Sequence, residues 1–353
     1  MTTPDRQTDM IFGSLESAGF PRSLQNMLLP EWVTPEVLSD ATVSSEIAAI
    51  LAKRLGLRAS PLFAASPRVE SLRRRDIKYK RSIPNKPKNL KAATSIAVSV
   101  AESVASACRV EFSPFVHSAD ALRKEVLASF PGKWLGLKNL LMTCWSHGLP
   151  VVYLAELGQG VAKMDGTVVY TDSRPVIILS KASPLWAWQL FILAHEIAHV
   201  ALGHVAPDDI LVDEELSENS YFLKDNDADE RAADMFALEL LNGRKNATYT
   251  TLEHRINGTE LATTALNLGT AQQIDPGHIA LNFAHNSGKW NVGIAALKIL
   301  QKGSPPASDF INEAMWGGIN PETLPMDTVE FLARVTDSYT ELGKVAGSYA
   351  NLR

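Results

Sequence analysis

Cysteine is scarce in this chain. Only Cys108 and Cys144 occur among the 353 residues, and they are neither neighbours nor in CxxC spacing. This usage argues against a disulfide-rich secreted scaffold and against a zinc site built from thiolates. It predicts a protein of the reducing cytoplasm, and residues 1–9 agree because they are polar and lack the apolar core of a signal peptide.

Long hydrophobic runs and several common catalytic motifs are also absent. The longest apolar stretch, Ala92 to Val110, is interrupted by serines, a threonine and Glu102, so it predicts a helix packed within protein rather than a membrane span. The chain has no GxxxxGK[ST] phosphate loop, no GxGxxG fingerprint and no GxSxG elbow. The sequence therefore shows no competing nucleotide-binding or serine-hydrolase signature.

Overall charge is close to balanced. The chain has 34 lysines and arginines against 39 aspartates and glutamates, a formal net charge of −5, and 46% hydrophobic residues. These values are typical of a globular protein with a core, and the length leaves room for two or three domains. The net charge does not indicate binding to nucleic acid or to an anionic membrane.

Residues 68–91 are a basic exception to this balance. Ten lysines and arginines in this segment are opposed only by Glu70 and Asp76. Arg73, Arg74 and Arg75 are therefore candidates for nucleic-acid contact, although a solvated linker or a strand edge is favoured. Residues 1–66 predict helices, the best of them at Ser44 to Leu55 with Gly56 as its stop. A degenerate helix-turn-helix is one interpretation of this region, and a helical docking or cap segment is favoured over it.

The remaining pattern predicts an α+β fold that is mostly helical. A small β-sheet is expected to pack against two helices that carry the chemistry, with helical segments at both ends of the chain. Asp165-Gly166 is expected to form a hairpin turn, and Pro184 to open a strongly apolar helix. The predicted elements are helices at 92–108, 118–129, 133–147, 185–202 and 227–241, strands at 151–154, 167–170 and 176–179, a loop at 205–229, and a helical segment at 250–353 with a Pro/Gly-rich connector near 303–326.

The apolar helix at 185–202 contains His195-Glu196-Ile197-Ala198-His199. Histidines four residues apart share one helix face, so their nitrogens can bind one tetrahedral ion at about 2.0–2.1 Å. Glu196 would lie beside the ion, where it can take a proton from water. Burying these polar groups in so apolar a helix is costly unless a metal satisfies them. We therefore predict one Zn²⁺ per chain, with satisfied core histidines as the alternative.

A catalytic zinc site needs a third protein ligand. Glu230 is the better candidate, and Asp234 shares its helix face, so one carboxylate would bind zinc and the other would accept a ring N–H from a zinc histidine. His204 is the alternative ligand, but Gly203 predicts a left-handed helix end just before it, which favours a role near the substrate or in helix capping. The residue that stabilises the oxyanion stays open among His204, Tyr221, Tyr249 and His254.

HEIAHVALGH, an acidic spacer and ERAADMFALELL together resemble the ImmA/IrrE family of metallopeptidases and the wider thermolysin-like group with HExxH plus a glutamate. The resemblance covers about residues 115–245. It implies zinc ligands at His195, His199 and Glu230, a base at Glu196, and Asp234 as the residue that orients a zinc ligand. Two features depart from the family pattern: the N-terminal helix-turn-helix is indistinct, and Ala232 stands where relatives often have an acid.

The resemblance also implies a zinc endopeptidase that cleaves a protein substrate selectively, a repressor-type transcription regulator, in a stress or prophage response. An edge at the strand Val176 to Leu179 would let an extended peptide add to the sheet. Two alternatives remain: a zinc-containing DNA-binding or regulatory protein with little or no proteolysis, and a hydrolase of small amides. The predicted domains are a helical, basic segment at 1–91, a zinc metallopeptidase domain at 92–249 and a helical domain at 250–353.

Overall fold

The structure is a computed structural model that describes residues 4–72, 77–80, 90–130, 132–171, 173–207, 209–213, 228–250 and 255–339. These ranges contain fifteen α helices and one five-stranded sheet. The helices are α1 (Arg6–Ser17), α2 (Arg22–Leu28), α3 (Pro35–Leu38), α4 (Ser44–Leu55), α5 (Ala59–Leu62), α6 (Lys91–Ala107), α7 (Ala119–Ser129), α8 (Leu137–Ser146), α9 (Trp186–Ala201), α10 (Ala228–Asn242), α11 (Gly258–Gln272), α12 (Pro276–Ser287), α13 (Trp290–Leu300), α14 (Ala307–Gly318) and α15 (Met326–Val335). The strands are β1 (Ile77–Lys80), β2 (Val151–Tyr153), β3 (Gly166–Tyr170), β4 (Pro175–Leu179) and β5 (Ile210–Asp213).

This architecture confirms the predicted fold class, α+β and mostly helical. Local signals explain where several helices begin and end. α4 ends where Gly56 adopts a left-handed conformation with φ 63°, as predicted. α7 starts after Ser118, whose side chain accepts the N–H of Ala121. At the start of α11, Asn257 and Glu260 form a reciprocal capping box.

The sheet has the strand order β1-β5-β3-β4-β2. β3 runs antiparallel to both β4 and β5, whereas β2 pairs with β4 and β1 pairs with β5 in parallel. β4 is therefore an interior strand, and the prediction that Val176 to Leu179 offers a free edge is wrong. All five residues of β4 are buried, as expected for a strand covered on both faces and both sides.

The prediction of a hairpin turn at Asp165-Gly166 is also wrong. Gly166 is the first residue of β3, and Asp165 forms an ion pair with Lys181, Nζ to Oδ2 2.6 Å. The hairpin joins β3 to β4 instead. Its turn is closed by Thr171, whose N–H donates to the Arg174 carbonyl at 2.9 Å and whose hydroxyl accepts the Arg174 N–H at 3.2 Å.

Two elements occupy segments that the sequence assigned to loops. β5 lies within the predicted loop at 205–229, and α14 lies within the predicted connector near 303–326. α14 also packs against β2, the strand at one edge of the sheet. Its Asn312 accepts the Tyr153 N–H and donates to the Tyr153 carbonyl, both at 2.9 Å, so the outer edge of β2 is occupied by a side-chain amide.

α9 is the central helix of the fold. It packs against α8, α10, α12, β3 and β4, and every residue in it is buried except Trp186 and Val200. The predicted apolar helix is thus surrounded by protein along its whole length, which explains its composition. None of the helices in the described ranges has both the length and the apolar character needed to cross a membrane.

Candidate metal centre

α9 brings the two histidines of the HExxH motif together. His195 and His199 are one turn apart and fully buried, and their Nε2 atoms lie 3.0 Å from each other. Two imidazole nitrogens at this distance point toward a common position. The i, i+4 spacing on one helix face therefore produces the juxtaposition that the sequence predicted.

Glu230 reaches the same position from α10, which packs against α9. Its Oε2 lies 3.3 Å from His195 Nε2, and its Oε1 lies 3.5 Å from His199 Nε2. Ligands bound tetrahedrally at about 2.0–2.1 Å from an ion stand roughly 3.3–3.4 Å from one another. These three residues form a group whose ligand atoms could hold a metal ion, and two imidazoles with one carboxylate are a donor set that suits zinc.

Asp234 stands one turn after Glu230 and contacts the other nitrogen of a histidine. Its Oδ1 is 2.9 Å from His195 Nδ1. A carboxylate in this place accepts the ring N–H, which fixes the tautomer that leaves the Nε2 lone pair available. The structure thus brings Asp234 into contact with the first histidine of the motif.

His204 contacts the nitrogen of the His199 ring that does not face His195. The two Nδ1 atoms are 2.9 Å apart, and His204 Nε2 is 3.8 Å from Asp229 Oδ1. Gly203 has a left-handed φ of 72°, and the His204 N–H donates to the His199 carbonyl at 3.0 Å. His204 therefore caps the C-terminal end of α9 through its backbone. Its contact with the Nδ1 of His199 separates it from the group of three and makes it a neighbour that orients His199.

Glu196 is fully buried, and its carboxylate lies against the start of β3. A Cβ added at Gly166 would stand 1.8 Å from Glu196 Oε1, so only glycine leaves room for this side chain. Sequence reasoning missed Gly166, because it assigned Asp165-Gly166 to a turn. The available signal was a glycine directly before a run of β-branched residues, which often marks a close approach to a strand.

The other candidates do not join this cluster in the described structure. Tyr249 is buried, and its hydroxyl donates to Asn242 Oδ1 at 3.0 Å. Asn242 ends α10, about 18 Å along the helix from Glu230 at 1.5 Å per residue, so Tyr249 has a structural role there. The remaining candidates, Tyr221, His254, Arg73, Arg74 and Arg75, lie outside the described residues.

A helix bearing HExxH, a glutamate from the next long helix and a small sheet beside them are the arrangement typical of metallopeptidases of the HExxH-plus-glutamate type. A family model, that of the IrrE N-terminal-like domain of the Peptidase_M78 family, matches residues 144–243. This part of the chain, from within α8 to just after α10, is similar to that metallopeptidase family. No curated protein and no solved structure matches the chain.

Proposed function

We propose that this protein is a zinc-dependent endopeptidase that cleaves a protein substrate selectively, and that the substrate is a repressor-type transcription regulator in a stress or prophage response. One observation carries the proposal: His195, His199 and Glu230 converge within 3.0–3.5 Å of one another, on the same two helices as Glu196 and Asp234. The repressor and the stress role come from the family resemblance. A cytoplasmic location belongs to the same proposal, supported by two free cysteines.

In this proposal each residue has a defined part. His195 and His199 bind the ion through Nε2 and Glu230 binds it through its carboxylate, while Asp234 and His204 hold the two rings in place. A zinc ion there would supply Lewis-acid activation of water and of the peptide carbonyl. Glu196 takes the proton of the attacking water and passes it to the nitrogen of the leaving amine.

The enclosure of the site supports narrow substrate choice. Both histidines and Glu196 are fully buried, and Glu230 is only 7% exposed. A single extended segment of chain needs less space to approach groups buried to this extent than a folded surface does. A flexible segment between two domains of a regulator has the required form.

The catalytic assignment is tested by Glu196→Gln, which keeps the size of the side chain and removes its basicity. We expect zinc to be retained and cleavage to fall by roughly 10²–10⁴-fold, the usual contribution of a general base. Purified proteins are compared for zinc content by mass spectrometry. Host cells that express either form, with and without DNA damage, are compared by profiling new peptide N-termini.

New N-termini confined to the wild type, in one or a few regulators, would support the proposal and identify the substrate. Equal cleavage by the variant and the wild type would show that Glu196 is not the general base. A zinc-loaded wild type that produces no new ends under either condition would favour the alternative function, a zinc-containing regulatory protein without proteolysis.

A further inference from the structure

A cavity lies at the opposite end of α9 from the metal centre. It has a volume of about 660 Å³ and is lined by the segment before α8, by α8 itself, by the start of α9 and by α11 to α13. This volume is in the range of sites that bind small organic molecules. Much of its wall comes from residues outside 144–243, the part of the chain that matches the peptidase family.

The walls of the cavity are mainly apolar and partly aromatic. Phe130, Trp134, Met142, Trp186 and Leu297 are among the lining residues. Such walls favour a ligand with a hydrophobic or aromatic body, because removing that body from water is the main source of affinity.

Two lysines give the cavity a positive rim. Lys133 and Lys138 both line it, and both are exposed to solvent. The Lys138 ammonium lies 5.5 Å from the ring centroid of Trp186 and 5.3 Å from that of Phe310, so cation–π contacts hold its charge beside the cavity. A cationic rim over an apolar chamber complements an anionic head group on a hydrophobic body.

The only carboxylate that lines the cavity among the described residues is Asp275. It caps α12 and accepts the N–H of His278 at 3.0 Å, and one of its oxygens lies close to the Trp134 indole. The protein donors favour the ionised form of this carboxylate, and its negative charge repels an acid placed beside it. The head group of the ligand should therefore stay near the lysines, with the apolar body inside.

The cavity is separate from the metal centre. Ala187, which lines it, stands eight residues before His195, or about 12 Å along the helix at 1.5 Å per residue. We propose that this cavity binds a small amphipathic organic anion, with its apolar or aromatic body between the helices and its acid group at Lys133 and Lys138. The occupant is a ligand distinct from the peptide substrate, so the proposal does not depend on peptidase activity.

The test uses the purified full chain and the fluorescent probe 8-anilinonaphthalene-1-sulfonate, an aromatic sulfonate. Decanoate competes as a second anion, and decanol serves as its uncharged counterpart. Two variants alter the cavity at exposed positions: the double change Lys133→Glu with Lys138→Glu reverses the rim charge, and Met142→Trp fills space. Lys245→Glu changes an exposed lysine that does not line the cavity.

We expect saturable binding to the wild type and displacement of the probe by decanoate more readily than by decanol. The double variant should weaken binding of both anions roughly tenfold or more, equivalent to about 1.4 kcal/mol, and Met142→Trp should abolish it, while Lys245→Glu binds as the wild type does. Circular dichroism checks that each variant is folded. Equal affinity of all four proteins for the probe, or equal competition by decanoate and decanol, would overturn the proposal.

Discussion

Asp234 and His204 have the same relation to the two histidines of the metal centre. Each contacts an Nδ1 atom at 2.9 Å, Asp234 on His195 and His204 on His199. Accepting the Nδ1 hydrogen leaves both Nε2 lone pairs directed at the position shared with Glu230. The geometry of the site is therefore set by residues that would not themselves touch an ion.

Glu230→Gln tests the third ligand. An amide keeps the size of the side chain but is a much weaker zinc donor than a carboxylate. Loss of a residue that only hydrogen-bonds to a metal ligand lowers metal affinity roughly 10–100-fold. We therefore expect loss of a ligand to lower zinc affinity by about that much or more. Zinc per chain is measured after dialysis against a graded chelator. Glu239→Gln on the same helix is the control, because Glu239 pairs with Lys245 at 3.8 Å and is not one of the three grouped residues. Equal zinc retention by both variants would contradict the assignment.

Gly166→Ala tests the packing behind Glu196. The added Cβ would stand 1.8 Å from Oε1, so the carboxylate must move away from its place. We expect cleavage to fall about 100-fold, since misplacement by about 1 Å can cost that much, while zinc stays bound because no predicted ligand is touched. Gly13→Ala, where an added Cβ meets nothing within 4 Å, is the control. Full activity of the Gly166 variant would show that Glu196 does not need this position.

Among residues, groups that lie close together in the sequence could be predicted, whereas contacts between residues far apart could not. One short motif proposed His195, Glu196 and His199 as site residues, and a second proposed Glu230 and Asp234, because helical spacing fixes which side chains share a face. The contact between Gly166 and Glu196 joins a strand to a helix far along the chain. No local pattern specifies such a contact, so only the three-dimensional structure reveals it.

Among elements, helices were predictable and strand pairing was not. Residues with a helical period, such as those of α4, α7 and α10, form helices near the predicted bounds. Strand order depends on which segments meet after folding, so β4 was misassigned as an edge. β5 was missed because only three apolar residues, Ile210, Leu211 and Val212, mark it within an acidic segment. α14 was hidden by the proline pair before it and the glycine pair at its end.

α12 contains a buried histidine with consequences for stability. His278 is fully buried, and burial, with a smaller effect of the Arg123 guanidinium, lowers its pKa to about 3. An unfolded histidine binds a proton below about pH 6.5, so His278 favours unfolding increasingly as the pH falls from 6.5 toward 3. Burial raises the pKa of Asp275 to about 6, which opposes this trend between about pH 6 and 4.

The variant His278→Leu isolates the histidine contribution. We expect the destabilisation it causes to be smaller at pH 5 than at pH 7 by about 2 kcal/mol, that is, 1.36 kcal/mol per pH unit over about 1.5 units. Urea unfolding of wild type and variant at both pH values measures the difference. An equal difference in unfolding free energy at pH 7 and pH 5 would show that His278 is protonated as readily in the folded chain as in the unfolded one.

In the whole molecule, the terminal segments are tied to each other and to the peptidase part. Arg54 of α4, 2% exposed, forms an ion pair with Asp327 of α15 at 3.0 Å. Ser23 of α2 donates to the carbonyl of Gln159 at 2.7 Å. One cluster of buried hydrophobic residues extends from α1 to α15. Length and composition predicted a globular protein but could not predict this continuity, which arises only when distant helices pack.

The predicted domain at 92–249 can be tested by producing it alone. This fragment lacks α12, which packs against α9, so apolar surface of the central helix would face water. We expect a thermal midpoint roughly 10 °C or more below that of the full chain, or no cooperative transition, as followed by near-UV circular dichroism. The fragment 92–339, which restores α11 to α15, is the control. If the fragment 92–249 unfolds cooperatively and at the same temperature as the full chain, this domain folds independently of the rest.

The amide of Asn312 gives the sheet a finished border. It makes the two hydrogen bonds to Tyr153 that a neighbouring strand would otherwise make. Exposed strand edges recruit other extended chains, including copies of the same protein, and lead to aggregation. A protein that is proposed to handle unfolded segments meets such chains as part of its work. Because the Asn312 side chain of α14 occupies the outer edge of β2, this edge is blocked against pairing with substrate segments or with other copies of the protein.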